Sequence, residues 1–431
     1  MPKPDPMDRT SGFLKKNLET MPHKKRIEHL NQKLRGIVQY AYKNSAAFKN
    51  KIDSIGLKPK DIQTIKDLEK IPITKKADLV ELQKKNPPFG GFEGVPISEL
   101  KRIYVSPGPI CEPGEMEYND LGWAQGMYAG GFRPGDIVIN TFSYHMVPFA
   151  LHMVDNSLHQ NGCIVIPTGV GNTEQQANIL KTFKVTGFCG TPSFLLSIAE
   201  KAEELGFDTK KDLNLKVGFV AAEMLPESLR SKLEEKLGMF IRQTYGTADV
   251  GCLGYECLKK NGMHIPDDKI VEIVDPETGK QLGPGKTGEI IATTFNKVYP
   301  LVRFGTGDLS ILTETPCPCG RTSPRLIKIL GRVDQVTKVR GLFVHPGQTD
   351  EVVSKHPQIL KHQVVITRKE DRDEMTFRIE LREEVTQPEK LKEEIEKTIR
   401  DVMKVRGNVE FIPKGTIQNG TRKIDDQRTW E

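Results

Sequence analysis

Apolar positions set the first outline of the chain. Ile27, Leu30, Leu34, Ile37, Val38 and Ala41 fall on one side of a 3.6-residue period, which predicts an early amphipathic helix. The preceding cluster His23-Lys24-Lys25-Arg26 reads as its solvated first turn, and the polar, proline-containing residues 1–12 as a segment ordered only by docking. From about Arg133 the pattern changes to short apolar runs at 136–142, 163–167, 187–190, 217–222 and 239–244. Helical stretches at 192–204 and 227–237 lie between them, the second with Gly238 where a helix terminator would stand. Such alternation predicts an α/β domain with parallel strands and crossover helices. Residues 271–274, a turn at 275–279 and 288–294 predict antiparallel β structure, and Leu326 to Leu330 reads as an apolar strand. Beyond Asp334, runs at 364–367, 375–381 and 409–412 around a helix at 388–403 predict a small α+β unit. The expected organisation is a large domain, 1–333, and a small mobile domain, 334–431.

Composition narrows the class. The 431 residues carry 63 Lys+Arg against 57 Asp+Glu, interspersed, for a formal charge of +6. That is a mixed solvated surface, expected to bind neither nucleic acid nor membrane, with a small positive bias that suits phosphate-bearing ligands. No apolar run is long enough to span a bilayer, and the start does not resemble a signal peptide. Seven cysteines in a chain of this length do not make a disulfide framework, so a reducing, cytoplasmic setting is expected.

The chemistry-bearing residues cluster late. Asp308 follows a Gly-Thr-Gly turn, and Gly331-Arg332-Val333-Asp334 with Gly341 beyond it suits a swivel with fixed contacts. Ala221-Ala222-Glu223 and Tyr245-Gly246-Thr247-Ala248-Asp249 each follow a predicted parallel strand, where ligands of such sheets sit. Cys257, His264, Cys317 and Cys319 offer three thiols and an imidazole, a tetrahedral zinc set by chemistry and structural because four protein ligands leave no open position. Buried unpaired cysteines are the plainer reading. The aromatic and methionine stretch 142–149, with Phe142, Tyr144 and His145, follows a strand end and reads as a pocket for an aromatic or medium apolar acid. His145 and His152 are candidate bases.

Phe304-Gly305-Thr306-Gly307-Asp308, Gly331-Arg332-Val333-Asp334 and the Cys317-Pro318-Cys319-Gly320 pair together resemble the adenylate-forming superfamily, and within it the phenylacetate–coenzyme A ligases. The stretch L-E-K-I-P-I-T-K-K-A-D-L at 68–79 resembles the same family, so the likeness covers the whole chain. The resemblance implies a ligase that joins a carboxylic acid to coenzyme A through an acyl-adenylate, using ATP and magnesium and releasing AMP. It implies that Asp308 and Arg332 bind ribose, that Ala222, Glu223, Tyr245 and Gly246 border adenine, and that Thr247 approaches the α-phosphate. Asp249, in place of a glutamate, would hold magnesium, Asp334 would be the hinge, Gly341 would line the pantetheine channel, and Lys423 is the nearest candidate for the C-terminal adenylation lysine. A homodimer is left open.

Ser106-Pro107-Gly108-Pro109-Ile110-Cys111-Glu112-Pro113-Gly114 stands where the family has its phosphate loop, with Glu112 at the lysine position. Prolines remove N–H donors and the local charge is reversed. Two alternatives therefore stay open: a homologue that transfers or hydrolyses acyl-CoA without ATP, and a non-catalytic nucleotide- or CoA-binding protein.

Overall fold

The structure is a computed structural model that describes residues 7–106, 110–114, 121–333, 337–339, 342–344, 346–369, 372–418 and 420–428. Asp334 and Gly341, given hinge and channel roles above, lie outside these residues, as do Pro107, Gly108 and Pro109. The chain divides into two compact units, Met1–Thr306 with Ile311–Lys328, and Gly307–Ser310 with Ile329–Glu431.

In the first unit, Ile164–Pro167, Ile137–Asn140, Gly187–Gly190, Val217–Val220 and Phe240–Thr247 lie side by side in that order, all parallel. Their side chains divide by the two-residue period of a strand. Val138, Cys189 and Phe219 enter one core with Trp123, Met127 and Phe132. Their neighbours Ile139, Phe188 and Val220 enter another with Leu195, Ile198 and Leu233. A sheet buried on both faces reads as continuous apolar runs, as these do. The crossover helix Pro192–Glu204 starts with Pro192 at its first turn and a Thr191 side chain that accepts from the Phe194 N–H. Glu227–Leu237 ends at Gly238 with φ +65°, the left-handed position that favours glycine.

After Phe240–Thr247 the sheet turns antiparallel through Gly251–Glu256, Met263–His264 and Arg325–Leu326. Lys269–Val274 and Thr287–Thr294 pair antiparallel about the expected turn. Arg9 docks the N-terminal segment by a two-pronged ion pair to Asp136, 2.7 Å on each prong and buried on both sides. The helix His23–Asn44 buries Leu34, Ile37, Val38 and Ala41, whereas Ile27 is exposed.

Several expectations are corrected. Arg26 is not in a solvated turn; it is buried, paired with Asp267 and donates to Leu18 O and Thr322 Oγ1. Of the apolar run 326–330 only Leu326 lies in a strand, Arg325–Leu326, and Ile327 is exposed. Two helices had no signal in the sequence pattern. Leu121–Ala129 is buried around most of its circumference and so lacks an amphipathic period. Phe149–Asp155 is a single wide turn with five-residue hydrogen bonding.

In the second unit, Asn408–Phe411, Arg372–Leu381, Ile359–Lys369 and Ile424–Asp426 form one sheet in that order. Leu391, Ile395, Ile399 and Met403 of Pro388–Met403 bury a stripe at four-residue spacing in a core with Val364 and Phe377. Gly307–Ser310, the middle of the strand Phe304–Thr313, counts with this unit and pairs there with Gly331–Arg332.

Candidate active site

The strand Phe240–Thr247 and its partner Gly251–Glu256 form a hairpin whose turn carries Ala248 and Asp249. Gly246 is required by close approach: a Cβ there would sit 2.3 Å from Gly251 O and 2.9 Å from the Trp123 ring. Thr247 Oγ1 donates to Asp249 Oδ2 at 3.3 Å and accepts from the Val250 N–H at 3.4 Å. The Asp249 side chain is wholly buried. Lys76 Nζ meets its Oδ2 at 2.7 Å, and its Oδ1 has no hydrogen-bond partner among the described residues. A buried, partnerless carboxylate oxygen suits a hard divalent cation.

Asp249 forms part of the wall of a cavity of about 310 Å³. Tyr104, Pro148, His152, Met153 and Tyr299 contribute apolar surface, and Glu112, Asn296 and Lys297 polar surface. Phe142, Tyr144 and His145 do not line it. Phe142 packs edge-on against Phe149 with ring centroids 4.5 Å apart, the Tyr144 hydroxyl donates to Asp155, and His145 is exposed. The turn Phe149–Asp155 instead presents His152 and Met153, with the His152 ring tilted against Tyr104 at 5.5 Å. Its i→i+5 winding hides these positions from a 3.6-residue pattern.

Ser106 and residues 110–114 of the expected phosphate loop lie in an antiparallel pair, Arg102–Ser106 with Ile110–Gly114. Alternation along the second strand turns Ile110, Glu112 and Gly114 inward. Glu112 is thus buried, and the Ser106 hydroxyl lies 2.8 and 2.7 Å from its two oxygens. Burial, and next the charge of Asp249, push the Glu112 carboxyl up to about 8, so at neutral pH it carries its proton. The expected reversed charge is therefore largely absent below that value.

On the adenine-side segment, Ala222 has φ +68°, a conformation that costs an alanine roughly 1–2 kcal/mol. Glu223 is exposed and accepts from Ser193 Oγ at 2.8 Å. In the second unit, Asp308 and Arg332 are cross-strand partners, with Nη1 3.2 Å from Oδ1. Arg332 fills the space over Gly307, where a Cβ would meet its guanidinium at 2.7 Å. Lys423 Nζ is held by Asp350 at 2.7 and 2.6 Å. His362, which burial pushes down to about 4, has its Nε2 3.7 Å from Asp350 Oδ1.

Ligand atoms of Cys257, His264, Cys317 and Cys319 all lie within 4.8 Å of one another. Strand pairing explains the convergence. Cys257 follows Gly251–Glu256, and His264 pairs with Tyr255 on one side and Arg325 on the other. Cys257 and Cys317 Sγ are 3.8 Å apart, and Cys319 Sγ is 3.3 Å from His264 Nε2. Zinc–sulfur bonds of about 2.3 Å at tetrahedral angles put two sulfurs about 3.8 Å apart, so the donors fit that ion. Ser323 Oγ lies 3.3 Å from His264 Nδ1, leaving Nε2 toward the thiols. Cys252 lies apart, beside Thr244.

Known proteins match this architecture along the chain. The AMP-binding enzyme family matches residues 118–296, and the AMP-binding enzyme C-terminal domain residues 341–428. A phenylacetate–coenzyme A ligase of Thermus thermophilus is 32% identical over 428 residues, 92% of this chain and 95% of that protein. Its Escherichia coli counterpart is 32% identical, covering 82% of each. A crystal structure of 2-hydroxyisobutyryl-CoA ligase in an open conformation with 2-HIB-AMP and CoA aligns with a TM-score of 0.87 at 25% identity, over 98% of this chain and 96% of that one. Apo MatB from Rhodopseudomonas palustris, at 15% identity and a TM-score of 0.56, bears on the fold alone. With a full-length relative at this identity and both enzyme domains matched in order, the chain belongs to the phenylacetate–coenzyme A ligase family of adenylate-forming, AMP-forming acid–CoA ligases.

Proposed function

We propose that this protein joins a compact carboxylic acid, aryl or short and branched, to coenzyme A. In the first step an acid oxygen attacks the α-phosphorus of ATP and pyrophosphate leaves. In the second the thiol of coenzyme A attacks the acyl carbon, the bond to AMP breaks and the thiol proton is released. No protein nucleophile is needed; positioning and charge neutralisation carry both steps. The observation that carries this reading is the Thr247–Asp249 turn, whose partnerless buried oxygen belongs to a wall of the cavity. About 310 Å³ is at the small end of ligand pockets, which suits a compact acid better than a long acyl chain. Relatives named for phenylacetate and 2-hydroxyisobutyrate bracket that size.

In this reading Ala222, Glu223, Tyr245 and Gly246 border the adenine and Thr247 approaches the α-phosphate. Asp249 would hold magnesium, whose charge neutralises phosphate oxygens. Asp308 and Arg332 take the ribose hydroxyls, Lys423 is the adenylation lysine, Asp334 is the hinge and Gly341 borders the pantetheine. Cys257, His264, Cys317 and Cys319 hold a structural zinc. The absence of a disulfide among the seven cysteines suits a reducing, cytoplasmic compartment. The test is to incubate the protein with MgATP, coenzyme A and a panel of aryl and short branched acids, following AMP and acyl-CoA by mass spectrometry. Equimolar AMP and acyl-CoA from a compact acid are expected; acyl-CoA consumed or formed without AMP contradicts the proposal.

A further inference from the structure

Lys76 belongs to none of the nucleotide motifs, yet it reaches the Thr247–Asp249 turn. The short strand Thr74–Lys75 pairs in parallel with Phe304 and Gly305, and the Thr74 N–H donates to Arg303 O at 3.0 Å. This anchors the chain immediately before Lys76, whose Nζ lies 2.7 Å from Asp249 Oδ2 across 173 positions of sequence. The two partners differ in exposure: the Asp249 side chain is 0% exposed, that of Lys76 27%. The Lys76 side chain is therefore partly open to solvent while the carboxylate it pairs with is not.

Glu112 is turned inward onto Ser106, and among the described residues no lysine or arginine lies within ion-pair distance of it. A triphosphate that loses pyrophosphate needs positive charge aimed at the leaving oxygens. Asp249 offers its free Oδ1 to a divalent cation while Lys76 remains on Oδ2, so both positive charges can act at one turn.

We propose that Lys76 supplies the protein's positive charge for the triphosphate, in place of a lysine in the phosphate loop. The proposal rests on the ATP-dependent ligase reading above. In the adenylation step a bond forms between the acid oxygen and the α-phosphorus, and the bond to pyrophosphate breaks. Lys76 stabilises the negative charge that gathers on the departing pyrophosphate and takes no proton. Thioester formation from acyl-adenylate involves no pyrophosphate and should not need it.

The test separates the two half-reactions in Lys76→Met and Lys76→Arg. Pyrophosphate release from acid and MgATP reports adenylation. Acyl-CoA formed from chemically supplied acyl-adenylate and coenzyme A reports the second step and correct folding. Lys76→Met is expected to lose about 100-fold in adenylation kcat/KM for ATP. Its thioester step should stay within about threefold of the parent, and Lys76→Arg, which keeps the charge, should recover most of the adenylation loss. Equal losses in both steps would make Lys76 a structural residue, and no loss in either would make it a bystander; each overturns the proposal. A parent protein that turns over supplied adenylate but releases no pyrophosphate from ATP would instead overturn the ATP reading on which it rests.

Discussion

Glu112 shows how one residue changes meaning once its surroundings are known. Its place in the sequence, where a phosphate-binding lysine is expected, reads as a charge reversal. Its place on the inward face of Ile110–Gly114 makes it a buried acid beside Asp249, protonated up to about pH 8. The sequence shows which residue stands there but not the face on which it lies. Lys76 was illegible for a different reason, since its partner lies 173 residues away and no local spacing encodes the pair. Gly246, Thr247 and Asp249 could be singled out because they are contiguous at a strand end. The raised Glu112 value has a consequence for stability. The folded chain keeps the proton up to about 8 and the unfolded chain only to about 4.5, so folding stability falls as pH rises through that window. Glu112→Gln cannot ionise. Its melting temperature should gain on the parent progressively from pH 5 to pH 8 and hold a constant lead above that. A difference that does not vary across the window would show that Glu112 titrates normally.

At the scale of elements, helices with chemical punctuation were readable to the residue. Pro192–Glu204, Glu227–Leu237 and Pro388–Met403 coincide with the predicted spans, and the first two carry Thr191 and Gly238 at their ends. Leu121–Ala129 escaped because burial nearly all round erases the amphipathic period. Phe149–Asp155 escaped because its winding is not that of an α-helix; His152 stood out in the sequence only as a candidate base, and its place on the cavity wall beside Met153 was not readable. The thiol–imidazole cluster was legible as chemistry, while its convergence depends on the pairings of Met263–His264 with Gly251–Glu256 and Arg325–Leu326. That cluster ties three separate segments together, at Cys257, at His264 and at Cys317 with Cys319, so a bound zinc should stabilise the folded chain by about 4 kcal/mol at a thousandfold excess over its Kd. Elemental analysis should find one zinc per chain. Chelation, or Cys319→Ser, should lower the melting temperature; purified protein with no zinc and no response to chelation would leave the cluster a set of packed thiols.

For the whole molecule, the alternation of apolar runs and helices was enough to read an α/β unit followed by a smaller α+β unit, because each element carries its own period. The antiparallel pairing of Lys269–Val274 with Thr287–Thr294 was readable from its turn, but the order of the parallel strands was not, nor was the antiparallel continuation, which joins segments from residue 240 to residue 326. The family, shown by relatives along the chain, supplies a two-step reaction, and the structure supplies a turn and a cavity suited to the first step. The central claim is that the acid is activated by bonding to the α-phosphate. It is tested most directly with acid labelled with ¹⁸O in both carboxyl oxygens, turned over with MgATP and coenzyme A, and with the AMP weighed by mass spectrometry. An acyl-adenylate intermediate requires one labelled oxygen in each AMP formed. Unlabelled AMP, or acyl-CoA formed with no AMP, would contradict the account.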